Sequence, residues 1–489
     1  MSYLDCSIRE IHRAYLEKKT TPLELVKEAI ARAKANQDNA FELIDEEGAL
    51  AFAAALVEPE VDNLLWGIPY VAKDNFSTKG IETTASSNIL DGYVPLFDAT
   101  VIAKLKERKA VLIGKATMDE LAMGGTGTTG RKGITYNPFD PTHRKMIGGS
   151  SCGSAAAVAA SIVPFALGSD TGDSVRKPAS FAGLVGLKPT WGRISRHGLF
   201  PFAPSMDHVG FFTRCVEDAS ILLESLSGHD EKDTSSSTKP IPSSLQEDQA
   251  SLAGKRIAYF KEIKEVLTDD ILIGKMERAV AKMKEAGAIV EEVSFPKDLL
   301  QSLSATYIAI SCAEATSNCA NLDGIKFGPY RGGDTYQDVM LNARTQGFSE
   351  LIKRRFVIGS FCLMSENQKD LFLRAQRNRA KIVAKINEIL ADYDFILAPT
   401  TPSVAPSFSE KGDKLSAQYL IADNHLILAN FAGLPSISLP LGLENGMPLG
   451  ISLMGKAFGE SELLKASLAI ENITGLKGLS VLDKKEGTL

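Results

Sequence analysis

One stretch constrains this chain more than any other, residues 148–179, GGSSCGSAAAVAASIVPFALGSDTGDSVRKPA. It opens on a run of small residues, Gly148-Gly149-Ser150-Ser151-Cys152-Gly153. Such a turn lets the backbone take shapes that a Cβ would forbid and leaves hydroxyls bare beside it. The Ala-rich residues 154–161 have strong helix propensity. Residues 163–167 are short and apolar, as in a buried strand. A second small-residue turn follows, Gly168-Ser169-Asp170-Thr171-Gly172-Asp173-Ser174. Two serine-bearing turns that flank a helix and a strand can converge in space, which is how a chain builds a nucleophile with a neighbouring hydroxyl.

The composition narrows the class. With 44% hydrophobic and 23% charged residues, this is the make-up of a soluble globular protein. A net charge of −6 argues against a chain that grips nucleic acid unaided. Cys6, Cys152, Cys215, Cys312, Cys319 and Cys362 form no CxxC pair, and the histidines do not cluster with them. This predicts reduced thiols in a cytoplasm and no metal site. The start, MSYLDCSIREIHR, lacks the apolar core of a signal peptide, and residues 155–167 are too short and interrupted to span a bilayer.

Three separated motifs resemble those of the amidase signature enzymes: Lys73 in VAKDN, Ser150 in GGSSCG and Ser174 in GSDTGDSVRKP, the two serines 24 residues apart. The resemblance runs over nearly the whole chain, to the GLP and PLG motifs near its end. It implies an α/β amidase signature fold, with a large mixed, mainly parallel twisted sheet covered by helices on both faces. It divides the chain into N-terminal helices in residues 1–60, packing on the core or a partner, and a catalytic domain in residues 61–480.

The resemblance also implies a Ser-Ser-Lys mechanism. Ser174 is the expected nucleophile, Ser150 the relay and Lys73 the base, with the Gly149–Ser150 peptide cis. A serine hydroxyl attacks only when a base takes its proton. A lysine serves as base only when burial disfavours its cation. The amides of Thr171, Gly172, Asp173 and Ser174 are the expected oxyanion hole, steadied by an Asp170–Arg176 pair. Within the family, the branch that supplies ammonia to tRNA-dependent amidotransferases carries an arginine and an aspartate for the two charged ends of glutamine. Arg355 and Asp423 match them, with Arg354 an alternative to Arg355 and Tyr307 lining the pocket. The segment from Cys312 to Asn318, with Asp323-Gly324, fits the same branch. The partners implied are B-type and C-type subunits, the B-type using ATP and Mg and holding the tRNA. No cofactor is expected in this chain.

Along the rest of the chain, apolar periodicity predicts helices over 4–19, 46–57, 98–109, 117–123, 216–226, 271–286, 299–320, 367–390, 419–431 and 460–473. Thr21, Pro22 and Glu24 predict a capped helix start. Strands are predicted over 66–72, 111–113, 256–260, 289–293, 395–398, 435–440 and 449–454. Residues 228–254, polar and without periodicity, predict an exposed linker or insertion.

Two patterns invite rival readings. Gly125, Gly127 and Gly130 form a GxGxxG, yet no strand precedes it and no acid follows at the required distance. A flexible loop near the substrate is expected instead. Gly149-Ser150-Ser151-Cys152-Gly153 fits GxSxG, with Ser151 as nucleophile and His197 or His208 as base, but lacks the strand that should precede such an elbow.

Four positions depart from the family pattern. Thr117 stands where Asn is usual, and Cys152 replaces Gly or Ser. Asp173 stands where the loop usually has glycine, and Lys177 where it has glutamine. A carboxylate beside a developing oxyanion opposes catalysis, so Lys177 or Arg176 is expected to pair with Asp173 and turn it outward. An inward Asp173 points to the alternatives, a stand-alone amidase for another carboxamide or an inactive scaffold.

Overall fold

Eleven strands join in one sheet in the computed structural model, which describes residues 2–410, 412–484, 487 and 489. In chain order they are β1 (Phe41–Ile44), β2 (Pro69–Lys73), β3 (Val111–Ala116), β4 (Phe165–Asp170), β5 (Val185–Lys188), β6 (His208–Thr213), β7 (Arg256–Phe260), β8 (Ile289–Val293), β9 (Phe395–Pro399), β10 (Ser436–Glu444) and β11 (Met447–Gly455). Across the sheet they lie in the order β1-β3-β2-β4-β6-β5-β10-β11-β9-β7-β8.

The sheet is mixed and flanked by helices, as expected, but it is not mainly parallel. Pairs β2/β3, β2/β4, β7/β8 and β7/β9 are parallel. The other six neighbouring pairs are antiparallel. Chain connectivity explains the middle of the sheet. Strands β10 and β11 are joined through Asn445 and Gly446, both at positive φ, and a connection that short can only reverse direction.

The pleat divides the interior into two cores. On β7, Ile257 and Tyr259 enter one cluster while Ala258 and Phe260 enter the other. On β9, Phe395 and Leu397 oppose Ile396 and Ala398 in the same way. Side chains alternate across a strand, so one apolar run can serve both faces. The first core takes in the helices Ile8–Leu16, Pro22–Ala35 and Glu460–Thr474; the second takes in Leu303–Asn318 and Phe372–Asp392.

The N-terminal region differs from its prediction. The helix Pro22–Ala35 starts as read, with a reciprocal Thr21–Glu24 capping box and Pro22 in its first turn. The single helix expected over 4–19 is a short turn, Tyr3–Asp5, then an α-helix, Ile8–Leu16, with Ser7 starting a second capping box with Glu10. Strand β1, absent from the prediction, brings residues 41–44 onto β3. Leu4, Ile8 and Ile11 are fully buried, so these helices are part of the core.

Residues 228–254 are also tied down. Asp230 accepts hydrogen bonds from Thr100 Oγ1 at 2.5 Å and Ser195 Oγ at 2.6 Å. Asp233 accepts from the Arg196 amide at 2.8 Å, and Leu245 and Leu252 are buried. A polar composition concealed these anchors, because they are made by two carboxylates and two isolated leucines and not by an apolar stripe. The helix expected over 419–431 is split into Gln418–Ala422 and Ile427–Phe431. That predicted over 117–123 shrinks to Glu120–Ala122, where Leu121 and Ala122 take positive φ. Among the described residues, no helix is long and apolar enough to cross a membrane.

Candidate active site

Two parallel strands bring the chemistry together. Strands β2 and β4 pair with Ala72 opposite Leu167, so Lys73 and Ser169-Asp170 emerge side by side at their carboxyl ends. In open α/β sheets that end of the strands is where ligands bind. The helix Cys152–Ala159 packs on both strands and brings the Ser150-Ser151 turn to the same place. The Gly149–Ser150 peptide is cis. A Cβ at Gly149 would stand 1.9 Å from Asp119 Oδ2, so only glycine fits there.

Lys73 is completely buried. Its Nζ donates to Ser150 Oγ at 2.7 Å and to Ser169 Oγ at 2.9 Å. Asn75 Nδ2 holds Ser169 Oγ from the other side, at 2.9 Å. Burial pulls the Lys73 pKa down from 10.5 to about 7, against an opposing pull from Asp119, Asp170 and Asp207. A substantial share of this lysine is therefore an uncharged amine near neutral pH.

Ser174 is buried, and the Ser151 amide donates to its carbonyl at 3.3 Å, which joins the two turns. Among the described residues, the Ser150 and Ser174 hydroxyls are not hydrogen-bonded to each other. The amides of Gly172, Asp173 and Ser174 likewise donate to no described group. Backbone donors are normally satisfied when buried, so a row of free amides beside a serine is a preformed anion site.

The loop is held from behind. Arg176 and Asp170, both fully buried, form a two-pronged ion pair, Nη2 to Oδ1 at 3.0 Å and Nε to Oδ2 at 3.1 Å. Arg176 Nη2 also donates to the Gly172 carbonyl at 2.8 Å and to Asn430 Oδ1 at 2.6 Å. Burial would raise the Asp170 pKa, but Arg176, Lys188 and Asn430 together hold it well below the usual carboxylate range. Thr171 Oγ1 donates to Asp207 at 2.7 Å.

Asp173 is paired with Lys177, one helical turn on, and not with Arg176. Lys177 Nζ also lies 3.5 Å from the Asp423 carbonyl oxygen. Burial raises the Asp423 pKa, Lys177 lowers it and Asp173 raises it. Tyr307 packs against the loop, its ring 3.1 Å from where a Cβ on Gly172 would sit. Phe202 meets Tyr307 edge-on at 6.4 Å, and the Arg355 guanidinium lies over Phe202 at 5.8 Å. Among the described residues, the buried Arg355 Nε has no hydrogen-bond partner. Arg354 is exposed and, among the described residues, donates to the Glu350 carbonyl of its own helix. Of the two arginines, the structure places Arg355 by the site.

The rival patterns fail on geometry. Thr126, Gly127, Thr128 and Thr129 all point their amides at the Asp119 carboxylate, at 3.0–3.1 Å. Four consecutive amides of this glycine-rich loop are thus committed to a carboxylate and are not offered to a phosphate. Ser151 Oγ donates to the Ser169 carbonyl at 3.1 Å and accepts from its amide at 3.3 Å, a purely structural link. His208 is buried against the Met206 carbonyl, and His197 lies beside Thr100 and Phe97. Neither histidine is bonded to Ser151 among the described residues. Cys152 is buried, with its thiol pushed up to about 12, chiefly by burial. Thr117 Oγ1 donates to the Asn39 carbonyl at 2.8 Å, fixing β3 to the segment before β1.

Sequence reasoning passed over Ser169, Asn75, Asn430 and Asp119. Asn75, two residues beyond Lys73, and Ser169, beside Asp170, lay next to residues already singled out. Nothing local distinguishes Asn430, whose partners are remote in sequence, and the loop that wraps Asp119 only seven to ten residues on carries no signal of that contact.

Residues 24–464 match the family described as Amidase. The A-type chain of the glutamyl-tRNA(Gln) amidotransferase of Latilactobacillus sakei is 41% identical over 480 residues, 97% of each chain. Its counterpart in Streptococcus thermophilus is also 41% identical, again over 97% of each. The crystal structure of the A-type chain from Thermotoga maritima superposes with a TM-score of 0.79 at 37% identity, covering 96% of this chain and 95% of that one.

Proposed function

Because the chain belongs to the amidase family, we infer that it is the glutamine-hydrolysing component of a tRNA-dependent amidotransferase. Near-full-length identity to the A-type chains of glutamyl-tRNA(Gln) amidotransferases supports the enzyme class. One observation supports the mechanism above others: a buried Lys73, its pKa lowered to about 7, bonded to Ser150 on the same strand ends as the free amides before Ser174.

The reaction then runs in two halves. Ser174 Oγ attacks the side-chain amide carbon of glutamine while its proton passes to Ser150 Oγ. The Ser150 proton passes in turn to Lys73 Nζ. Contacts of this kind are often loose without substrate and tighten in the complex. The carbonyl oxygen becomes an oxyanion, held by the amides of Thr171, Gly172, Asp173 and Ser174. One such donor is commonly worth about 10²–10³ in rate. Collapse breaks the C–N bond, the relayed proton returns to the leaving nitrogen, and ammonia departs. Water then attacks the acyl-Ser174 ester by the same relay, releasing glutamate and restoring all three side chains. Arg355 holds the substrate carboxylate, Asp423 its ammonium, and Tyr307 walls the pocket. Charge-assisted hydrogen bonds of this kind are the strong ones.

The ammonia goes to a B-type partner that activates Glu-tRNA(Gln) or Asp-tRNA(Asn) with ATP and Mg, and a C-type partner completes the assembly. A chain of net charge −6 fits a role in which the partner holds the tRNA. We place the assembly in the cytoplasm, in keeping with six cysteines that form no disulfide.

The test is ammonia release from glutamine by the chain alone and with B-type and C-type partners. Ser174→Ala should abolish release and Ser150→Ala should cut it severely. Full release from Ser174→Ala, or none from the native chain in any assembly, overturns this reading.

A further inference from the structure

The helix Arg176–Phe181 begins directly after the nucleophile loop, and its second residue, Lys177, turns back over that loop. The Lys177 ammonium pairs with Asp173 and lies 3.5 Å from the Asp423 carbonyl oxygen. The side chains of Lys177 and Asp173 are only 18% and 21% exposed, so water screens these charges incompletely. The same ammonium acts on the Asp423 carboxylate and opposes the effect of that carboxylate's burial. One resident cation thus links the Asp173 carboxylate to the main chain of Asp423 beside Ser174.

We propose that Lys177 is a specificity-determining residue: its cation competes with a substrate α-ammonium for Asp423, so the site admits ω-carboxamide acids that lack an ammonium. The inference rests on the reading that Asp423 and Arg355 hold the two ends of glutamine. A substrate ammonium that approaches Asp423 enters the field of Lys177. Two like charges at about 5 Å and an effective dielectric near 20 weaken binding on the order of 100-fold. Asp173 neutralises part of that field, leaving an expected penalty of about 10-fold. Glutaramate, which is glutamine without its α-amino group, keeps the amide and the carboxylate for Arg355 and escapes the penalty.

The experiment compares kcat/KM for glutamine and for glutaramate in the assembled enzyme, in the native chain and in Lys177→Gln, Lys177→Arg and Asp173→Gly/Lys177→Gln. Both amides react at Ser174 through the same oxyanion, so effects on the chemical step cancel in their ratio. The ratio of glutamine to glutaramate should rise on the order of 100-fold in Lys177→Gln, where Asp173 keeps its charge, and about 10-fold in the double variant, where both charges are gone. It should stay near the native value in Lys177→Arg, which keeps the charge. A ratio unchanged or lowered in Lys177→Gln overturns the inference, as does a native enzyme that hydrolyses glutamine but not glutaramate. If the native assembly releases ammonia from neither amide, it is the functional reading that falls.

Discussion

Removing Lys177 should expose what Asp173 does to catalysis. In the native loop the Lys177 ammonium draws the Asp173 carboxylate aside. In Lys177→Gln that carboxylate keeps its charge and loses its partner, roughly 5 Å from the developing oxyanion. Two negative charges at that distance, with an effective dielectric near 20, repel by about 3 kcal/mol. The Asp173 side chain is 21% exposed, so solvent screens part of this and about 1.5–3 kcal/mol remains. That corresponds to a loss of roughly 10–100-fold in kcat. Asp173→Gly removes the offending charge but keeps the backbone amide, so the double variant should recover to within a few-fold of native. The assay is steady-state ammonia release, with kcat and KM fitted separately for each corner of the cycle. A coupling below about 0.5 kcal/mol, the level at which independent sites simply add, refutes the argument.

The same geometry sets three further expectations. With a Lys73 pKa of about 7, kcat/KM should climb through half its plateau near pH 7 and level off about one to two units higher. Unfolded, this lysine binds its proton up to about 10.5, so between roughly pH 7 and 10.5 the unfolded state holds more protons and stability rises with pH. Below that window both states are protonated and the dependence stops; Lys73→Met should remove it from the pH series of urea melts. Arg176→Ala strands the Asp170 charge in a fully buried site and should cost about 3–5 kcal/mol in denaturant unfolding. Ser151→Ala loses only two backbone contacts and should leave the Ser174 acyl-enzyme forming, as mass spectrometry with an electrophilic amide analogue would record.

Much of the site was legible because its parts are local. The Ser150 and Ser174 turns are short runs of small residues, and the helix between them is written in alanine. Arg176 and Lys177 both lie within a helical turn of Asp173, so a charge pair was expected with one of them, and packing chose Lys177. The two arginines show the limit. Neighbouring helix residues point about 100° apart, and nothing in KRRFV says which one faces inward. Packing sends Arg355 toward Phe202 and leaves Arg354 in water.

The fold divides in the same way. Strands β7, RIAYF, and β8, IVEEV, both rich in β-branched or aromatic residues, were predicted to their last residue. Strands β5 and β6 went unread because Gly186 and Gly210 interrupt the pattern. Those glycines sit where a neighbour presses in: a Cβ at Gly186 would meet Ala179 at 2.5 Å, and one at Gly210 would meet the Leu187 carbonyl oxygen at 2.6 Å. By itself, then, the sequence determined the type of most elements, the two serine-bearing turns and a cation close to Asp173, since each depends on residues within a few positions of one another. Strand direction, the choice of arginine, the Ser169–Asn75 brace and the lowered pKa of Lys73 were decided only in three dimensions. Each depends on the field and the packing of groups that the chain brings together from far apart.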